Sequence, residues 1–214
     1  MIKFLLTAIL LIPFLNVNGQ GIGELAPPKS PEIFPKHALG IDVIFNESGF
    51  GLGGFYRNRF NDILTGFVDF SISEAKDPRE MTYIDYWGQT FTLGKINRAF
   101  VLPLFAGLQY RLFENVIYDN LRPYINFAVG PAMIVSDPYD KEFFKAIGYA
   151  QAYFTVGGYV GFGANFGLDR NNLIGINLRY YIINMLNNGI ELLVGRPYKN
   201  MGGFYLTLNL GTMF

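Results

Sequence analysis

The chain has 214 residues, of which 50% are hydrophobic, 17% aromatic and 16% charged, and its formal net charge is zero. The apolar content excludes an intrinsically disordered chain. The balanced charge predicts no nucleic-acid partner, because binding to phosphates needs a positive field that displaces counterions. The absence of cysteine excludes disulfides, cysteine-based zinc sites and thiol nucleophiles. Abundant glycine and aromatic residues with little charge are typical of β-structure with an apolar exterior.

Residues 1–19 have the pattern of a secretory signal peptide. Lys3 precedes a mainly apolar stretch, 4–15, and the small-residue pattern of a cleavage site follows at Val17, Asn18 and Gly19. The stretch is too short to span a bilayer as a helix; an uncleaved N-terminal membrane anchor is the alternative. Residues 20–36 contain Pro27, Pro28, Pro31 and Pro35 and predict an irregular periplasmic leader.

Period-two alternation of apolar and polar residues continues through 37–214, where no apolar run reaches the ~18 residues of a membrane helix. The predicted strands are 37–45, 50–60, 63–73, 99–113, 122–135, 152–167, 173–183 and 203–214. Short links alternate with long ones at 74–98, 136–151 and 184–202. The sequence therefore predicts an all-β fold: an eight-stranded antiparallel transmembrane β-barrel with short periplasmic turns and longer extracellular loops. Within the longest loop, 81–95 alternates enough to form a projecting hairpin.

One face of every predicted strand carries no charged residue. The opposite face holds the charges, which are Asp42, Arg57, Arg59, Asp69, Arg111, Arg122 and Arg179. An arginine facing lipid at the bilayer midplane costs about 2–4 kcal/mol, so the uncharged face indicates contact with outer-membrane lipid. A soluble β-sandwich also alternates, but its water-facing side is normally rich in Lys and Glu, which the polar face here lacks.

Aromatic side chains return at both ends of alternate strands on the uncharged face. They are Phe50, Phe100, Phe154 and Phe204 at one end and Phe60, Tyr110, Phe166 and Phe214 at the other. Two such girdles are typical of the two interfaces of a membrane.

Three segments carry a family resemblance: 102–113 (LPLFAGLQYRLF), 122–124 (RPY) and 130–131 (GP). With them, the chain resembles the small outer-membrane-protein β-barrel families of Bacteroidota-type bacteria. The last strand ends on Phe214 and is similar to the signal read by the barrel-insertion machinery, although Thr212 stands where an aromatic residue is usual. The resemblance implies an eight-stranded barrel in the cell outer membrane, and that machinery as an assembly partner. It implies no catalytic or ligand-binding residues.

A barrel of eight strands has room for little more than its own side chains. We expect rings facing glycines to fill the lumen, and Asp42 and Asp69 to pair with Arg57, Arg111 or Arg179, because buried charges need partners. An ion path or a binding site is the alternative role for these charges.

His37 is the only histidine, and no serine or acid lies near it in sequence, so we expect no enzyme activity. We expect neither a metal site nor a cofactor.

The predicted function is a non-enzymatic integral outer-membrane barrel with a structural or surface-interaction role. A narrow conduit or binder for a small solute, a component of a secretion or surface-assembly apparatus, and a soluble lipocalin-like barrel are the alternatives. Trp87, the only tryptophan, lies beside Tyr86 in the longest loop. It predicts either contact with an envelope or extracellular protein or a cap over the barrel mouth.

Overall fold

The computed structural model describes residues 35–114, 116–117, 121–166, 171–186 and 188–214. The predicted signal peptide, 1–19, and residues 20–34 of the predicted leader lie outside the described residues. Among the described helices, none has the length and hydropathy of a membrane span.

The fold is a closed antiparallel barrel of eight strands, in which each strand pairs with the next barrel strand along the chain and the last pairs with the first. Every predicted strand is present within a few residues of its expected bounds, so the predicted barrel is confirmed. The barrel strands are β1 His37–Asn46, β2 Gly49–Arg59, β3 Leu64–Ala75, β6 Asn97–Arg111, β7 Leu121–Pro138, β8 Gln151–Phe166, β9 Asn172–Ile183 and β12 Gly203–Met213.

The first and last barrel strands close the sheet. Ile41 pairs with Leu210 and Phe45 with Leu206, and the register runs without interruption. Beyond it, the His37 N–H donates to the Phe214 carbonyl at 3.0 Å and the Phe214 N–H donates back at 2.9 Å. Closure leaves no unpaired strand edge in the barrel wall.

The connections differ between the two ends of the barrel. At the end that carries His37 and Phe214, called here the turn end, the links are 60–63, 112–120 and 167–171. At the opposite loop end, the first link is the tight turn 47–48, and the others are the long segments 76–96, 139–150 and 184–202.

The long loops contain secondary structure of their own. The predicted hairpin is confirmed as β4 Thr82–Ile84 and β5 Thr90–Thr92. A second hairpin, β10 Ile190–Leu193 with β11 Arg196–Tyr198, and the one-turn helix α1 Phe143–Ala146 were not predicted. Elements this short contain too few residues to show a clear hydrophobic period.

The alternation of faces holds throughout the wall. In β9, every second residue from Leu173 to Ile183 is buried and the residues between them are exposed. Apolar side chains in the middle of the outer face stay open to the surroundings, with Val129 67% and Val160 57% exposed. Seven of the eight predicted girdle rings are exposed, while the Phe143 ring of α1 packs edge-on against Phe100 at 6.0 Å.

Candidate functional site: the barrel lumen and the loop end

An ion-pair network crosses the middle of the lumen. Arg179, on β9, places its Nη2 3.1 Å from Asp42 Oδ2, on β1, and its Nη1 3.4 Å from Asp69 Oδ2, on β3. The Tyr159 hydroxyl donates to the same Asp69 oxygen at 2.6 Å, and Asn209 Nδ2 donates to Asp42 Oδ1. All these side chains are buried. One arginine thus contacts both carboxylates, and the Tyr159 hydroxyl and the Asn209 amide add a hydrogen bond to each, because buried charges need partners.

Aromatic rings fill the lumen around this network. Tyr181 packs at a tilt against Tyr205, 4.3 Å between centroids, and against Tyr159, 4.8 Å between centroids, and Phe105 lies 6.0 Å from Tyr181. The Arg179 guanidinium lies 4.9 Å from the Tyr159 ring centroid, a cation–π distance. The described lumen at this level is therefore occupied by protein side chains.

Glycines on neighbouring strands make room for two further lumen rings, those of Tyr124 and Phe67. A Cβ at Gly163 would meet the Tyr124 ring, and a Cβ at Gly107 would meet the tip of the Phe67 ring. The expected pattern of large rings against glycines is therefore present at both positions.

An apolar cap closes the loop end above the ring layer. Met185, Ile190, Leu192 and Met201 are all buried there and join the same hydrophobic cluster as the lumen rings. The Ile96 N–H donates to the Leu192 carbonyl at 2.8 Å, which ties the base of the β4–β5 hairpin to β10. The cap is thus built mainly from 184–202, a segment in which the sequence predicted only a loop. Its apolar residues Ile190, Leu192 and Leu193 were the available signal.

The tip of the β4–β5 hairpin lies away from this cap. Tyr86 is 95% and Trp87 81% exposed, and their rings pack edge to face at 5.9 Å. Asp85 holds the turn, since its Oδ1 accepts hydrogen bonds from the Trp87 N–H at 2.9 Å and the Gln89 N–H at 2.7 Å. Because both rings are exposed, Trp87 does not cap the barrel mouth, which was one of its two predicted roles.

A small cavity of about 70 Å³ lies at the turn end of the lumen. Three of the predicted lumen arginines, Arg57, Arg111 and Arg122, line it, whereas Arg179 belongs to the central network. The sequence placed these arginines on the inner face but did not separate them into two groups, because height in the lumen depends on strand tilt and register.

His37 also lines this cavity and is held by aromatic contacts. Its Nδ1 lies 2.8 Å from the Tyr56 hydroxyl, and its ring stacks on Tyr56 at 6.0 Å and on Phe214 at 5.8 Å. No Ser, Asp or Glu side chain is hydrogen-bonded to His37 within the described ranges, and no cluster of metal-ligating side chains occurs in them.

Comparison with known proteins found no matching protein-family model and no matching curated protein. Among solved structures, the chain is similar to Neisserial surface protein A at 13% identity, covering 82% of this chain and 90% of that one, with a TM-score of 0.44. It is similar to Pseudomonas aeruginosa OprG at 12% identity, covering 85% and 96%, with a TM-score of 0.45. For Ail, the attachment invasion locus protein of Yersinia pestis, identity is 11%, coverage 85% and 100%, and the TM-score 0.42.

All three similarities are too distant to assign a function, so the conclusions below rest on the residues of this chain. The resemblance to Bacteroidota-type families stays a prediction, since no family model matches.

Proposed function

We propose that this protein is a non-enzymatic integral outer-membrane β-barrel whose loop end faces the outside of the cell and offers a surface for protein contacts. The observation that carries the proposal is the exposed, charge-free apolar band around a closed barrel with its charges inside. In this arrangement residues 1–19 are a signal peptide that is cleaved off, and the leader 20–36 and the turn end lie in the periplasm.

The polarity of the wall supports lipid as its surroundings. A soluble barrel such as a lipocalin-like carrier has an apolar cavity and a polar outside. Here Asp42, Asp69 and Arg179 are buried inside, while Val129, Val160 and Phe162 are more than half exposed outside. An apolar surface that surrounds a whole barrel far exceeds the patches that soluble monomers expose.

The hairpin tip supports a role in protein contacts. Exposed aromatic residues on a well-held turn present a large contact area with little conformational entropy to lose, and Trp and Tyr dominate binding hot spots. The hydrogen bonds from Asp85 fix the turn that presents Tyr86 and Trp87. Side chains fill the middle of the lumen and an apolar cap covers it, so the structure favours a closed barrel over a conduit.

Membrane fractionation tests the location, with gel mobility compared before and after boiling. We expect the protein in the outer-membrane fraction, with faster migration before boiling because the folded barrel resists detergent. Recovery in the soluble periplasm with no heat-dependent mobility change would overturn the proposal.

Single cysteines test the orientation, because the chain has none of its own. We expect a membrane-impermeant maleimide to label Trp87→Cys in intact cells, and to label Asp62→Cys, in the turn 60–63, only after permeabilisation. The reverse pattern would place the loop end in the periplasm.

Photo-crosslinking tests the contact role. Benzoylphenylalanine at position 87 should give a discrete protein adduct on the surface of the native host, while the same group at the exposed Lys199 should not. If position 87 is labelled by maleimide in intact cells but gives no adduct, the contact role is wrong and the barrel is structural only.

A further inference from the structure

One buried arginine near the turn end of the lumen, Arg57, has no carboxylate in contact with it among the described residues. Arg179 forms ion pairs with both inner carboxylates, Asp42 and Asp69. Arg57 is 6% exposed, and its Nη1 donates to the neutral Asn165 Oδ1 at 3.1 Å. Among the described residues, no carboxylate lies within ion-pair distance of Arg57. A buried arginine with no carboxylate in contact is costly, so this position favours an anion.

The cavity of about 70 Å³ at the turn end adjoins this arginine. Among the described residues, its lining carries one acidic residue, Asp62, whose Oδ1 lies 3.2 Å from Arg59 Nη1. The basic residues of the lining are Lys36, Arg57, Arg59, Arg111 and Arg122. Arg57 and Arg111 form no ion pair with a carboxylate among the described residues and make the cavity positive there, and it holds room for a few water molecules or one small anion.

The hydrogen-bond donors around the cavity come from separate strands. Arg57 lies on β2 and Arg111 on β6, and Gln109, Tyr124 and Asn165 add neutral polar groups to the lining. Arg111 Nη2 donates to the Ile117 carbonyl at 3.3 Å, while its buried Nε makes no hydrogen bond to the described residues. Arginine side chains that converge from several directions suit an anion with several oxygens.

We propose that this cavity, the turn-end pocket, binds a phosphate-type oxyanion. A phosphate group carries up to about two negative charges and several acceptor oxygens, and so matches several guanidinium groups better than a carboxylate does. The group comes from inorganic phosphate or from the head group of a lipid at the adjacent interface. The inference does not depend on the outward orientation of the loop end or on a protein partner.

Binding is tested with the refolded full-length chain in a maltoside detergent, which contains no phosphate. Inorganic phosphate should raise the unfolding temperature in a saturable manner, beyond the effect of chloride at equal ionic strength. Arg111→Gln should weaken phosphate binding at least about tenfold, because it removes one charge-assisted donor group. Lys199→Gln, an exposed substitution at the loop end, should leave phosphate binding unchanged.

The results of these measurements distinguish inorganic phosphate from a lipid head group as the source of the bound phosphate. Stabilisation by inorganic phosphate assigns a soluble ligand; stabilisation only in vesicles containing phosphatidic acid, compared with phosphatidylcholine alone, assigns a lipid head group. Either effect must be lost in Arg111→Gln and in Arg57→Gln. The proposal is overturned if neither source acts, or if the effect persists in either variant.

Discussion

Arg179 and Asp42 form an ion pair of 3.1 Å across the lumen, although their strands, β9 and β1, are separated in the wall by β12. The two residues are 137 positions apart in the chain. Through this pair and the pair with Asp69, Arg179 shares one positive charge between the two acidic groups in the centre of the barrel. The lumen is consequently filled by a network that depends on one arginine.

Replacement of Arg179 by methionine should therefore destabilise the barrel by about 3–5 kcal/mol, because two buried carboxylates lose their counter-charge. Urea unfolding of protein folded into phosphatidylcholine vesicles measures the change. The triple variant Asp42→Asn, Asp69→Asn, Arg179→Met should recover much of the loss. Equal instability of the triple and the single variant would contradict this account of the network.

The outer face predicts a dependence on depth in the bilayer. Leu208→Arg, in the middle of β12, should cost about 2–4 kcal/mol, whereas Thr212→Arg, on the same face of the same strand near the turn end, should cost about 0–1 kcal/mol. Folding titrations in vesicles give both values. Similar costs at the two positions would show that the outer face of β12 is not in hydrocarbon.

Gly163 provides a test of the ring packing. Gly163→Ala would place a Cβ against the Tyr124 ring and the Ile176 backbone oxygen, and overpacking of this kind costs about 1–3 kcal/mol. Gly148→Ala, where a Cβ meets nothing within 4 Å, is the matched control and should change stability by less than about 0.5 kcal/mol. A neutral Gly163→Ala would indicate that Tyr124 moves freely in the lumen.

The stability of the loop end should fall at acid pH, because the Asp77 carboxylate becomes protonated. The hydrogen bond from the Arg79 guanidinium lowers the pKa of this carboxyl below its usual value of 3.8, and the Asp77 oxygens also accept from the Arg79 N–H. A lowered pKa means that the stabilisation is complete above the pKa of the unfolded chain, about 3.9, and is lost as the pH falls through the folded value.

Carbon-13 NMR of the Asp77 carboxyl measures this titration. Arg79→Gln should move the Asp77 pKa upwards, while Lys145→Gln, whose partner is Glu142, should leave it unchanged. An Asp77 midpoint at or above 3.8 in the native protein would contradict the assignment.

Much of the fold could be predicted because alternation is a local property. Each of the eight strands needs only its own residues to separate an apolar face from a polar one, and the chain keeps that period from β1 to β12. The cap made by Met185, Leu192 and Met201 could not be predicted in the same way. Its elements are too short to show a period, and their burial depends on the barrel mouth beneath them.

The candidate sites were likewise predicted only in part from the sequence. The sequence alone determined that Asp42, Asp69, Arg57, Arg111, Arg122 and Arg179 lie on the polar face, because a strand turns alternate side chains to opposite sides. Only the tertiary structure decided that Arg179 meets both acids while Arg57 and Arg111 line a separate cavity. Closure, strand tilt and register set the height of each side chain in the lumen, and these depend on all eight strands together.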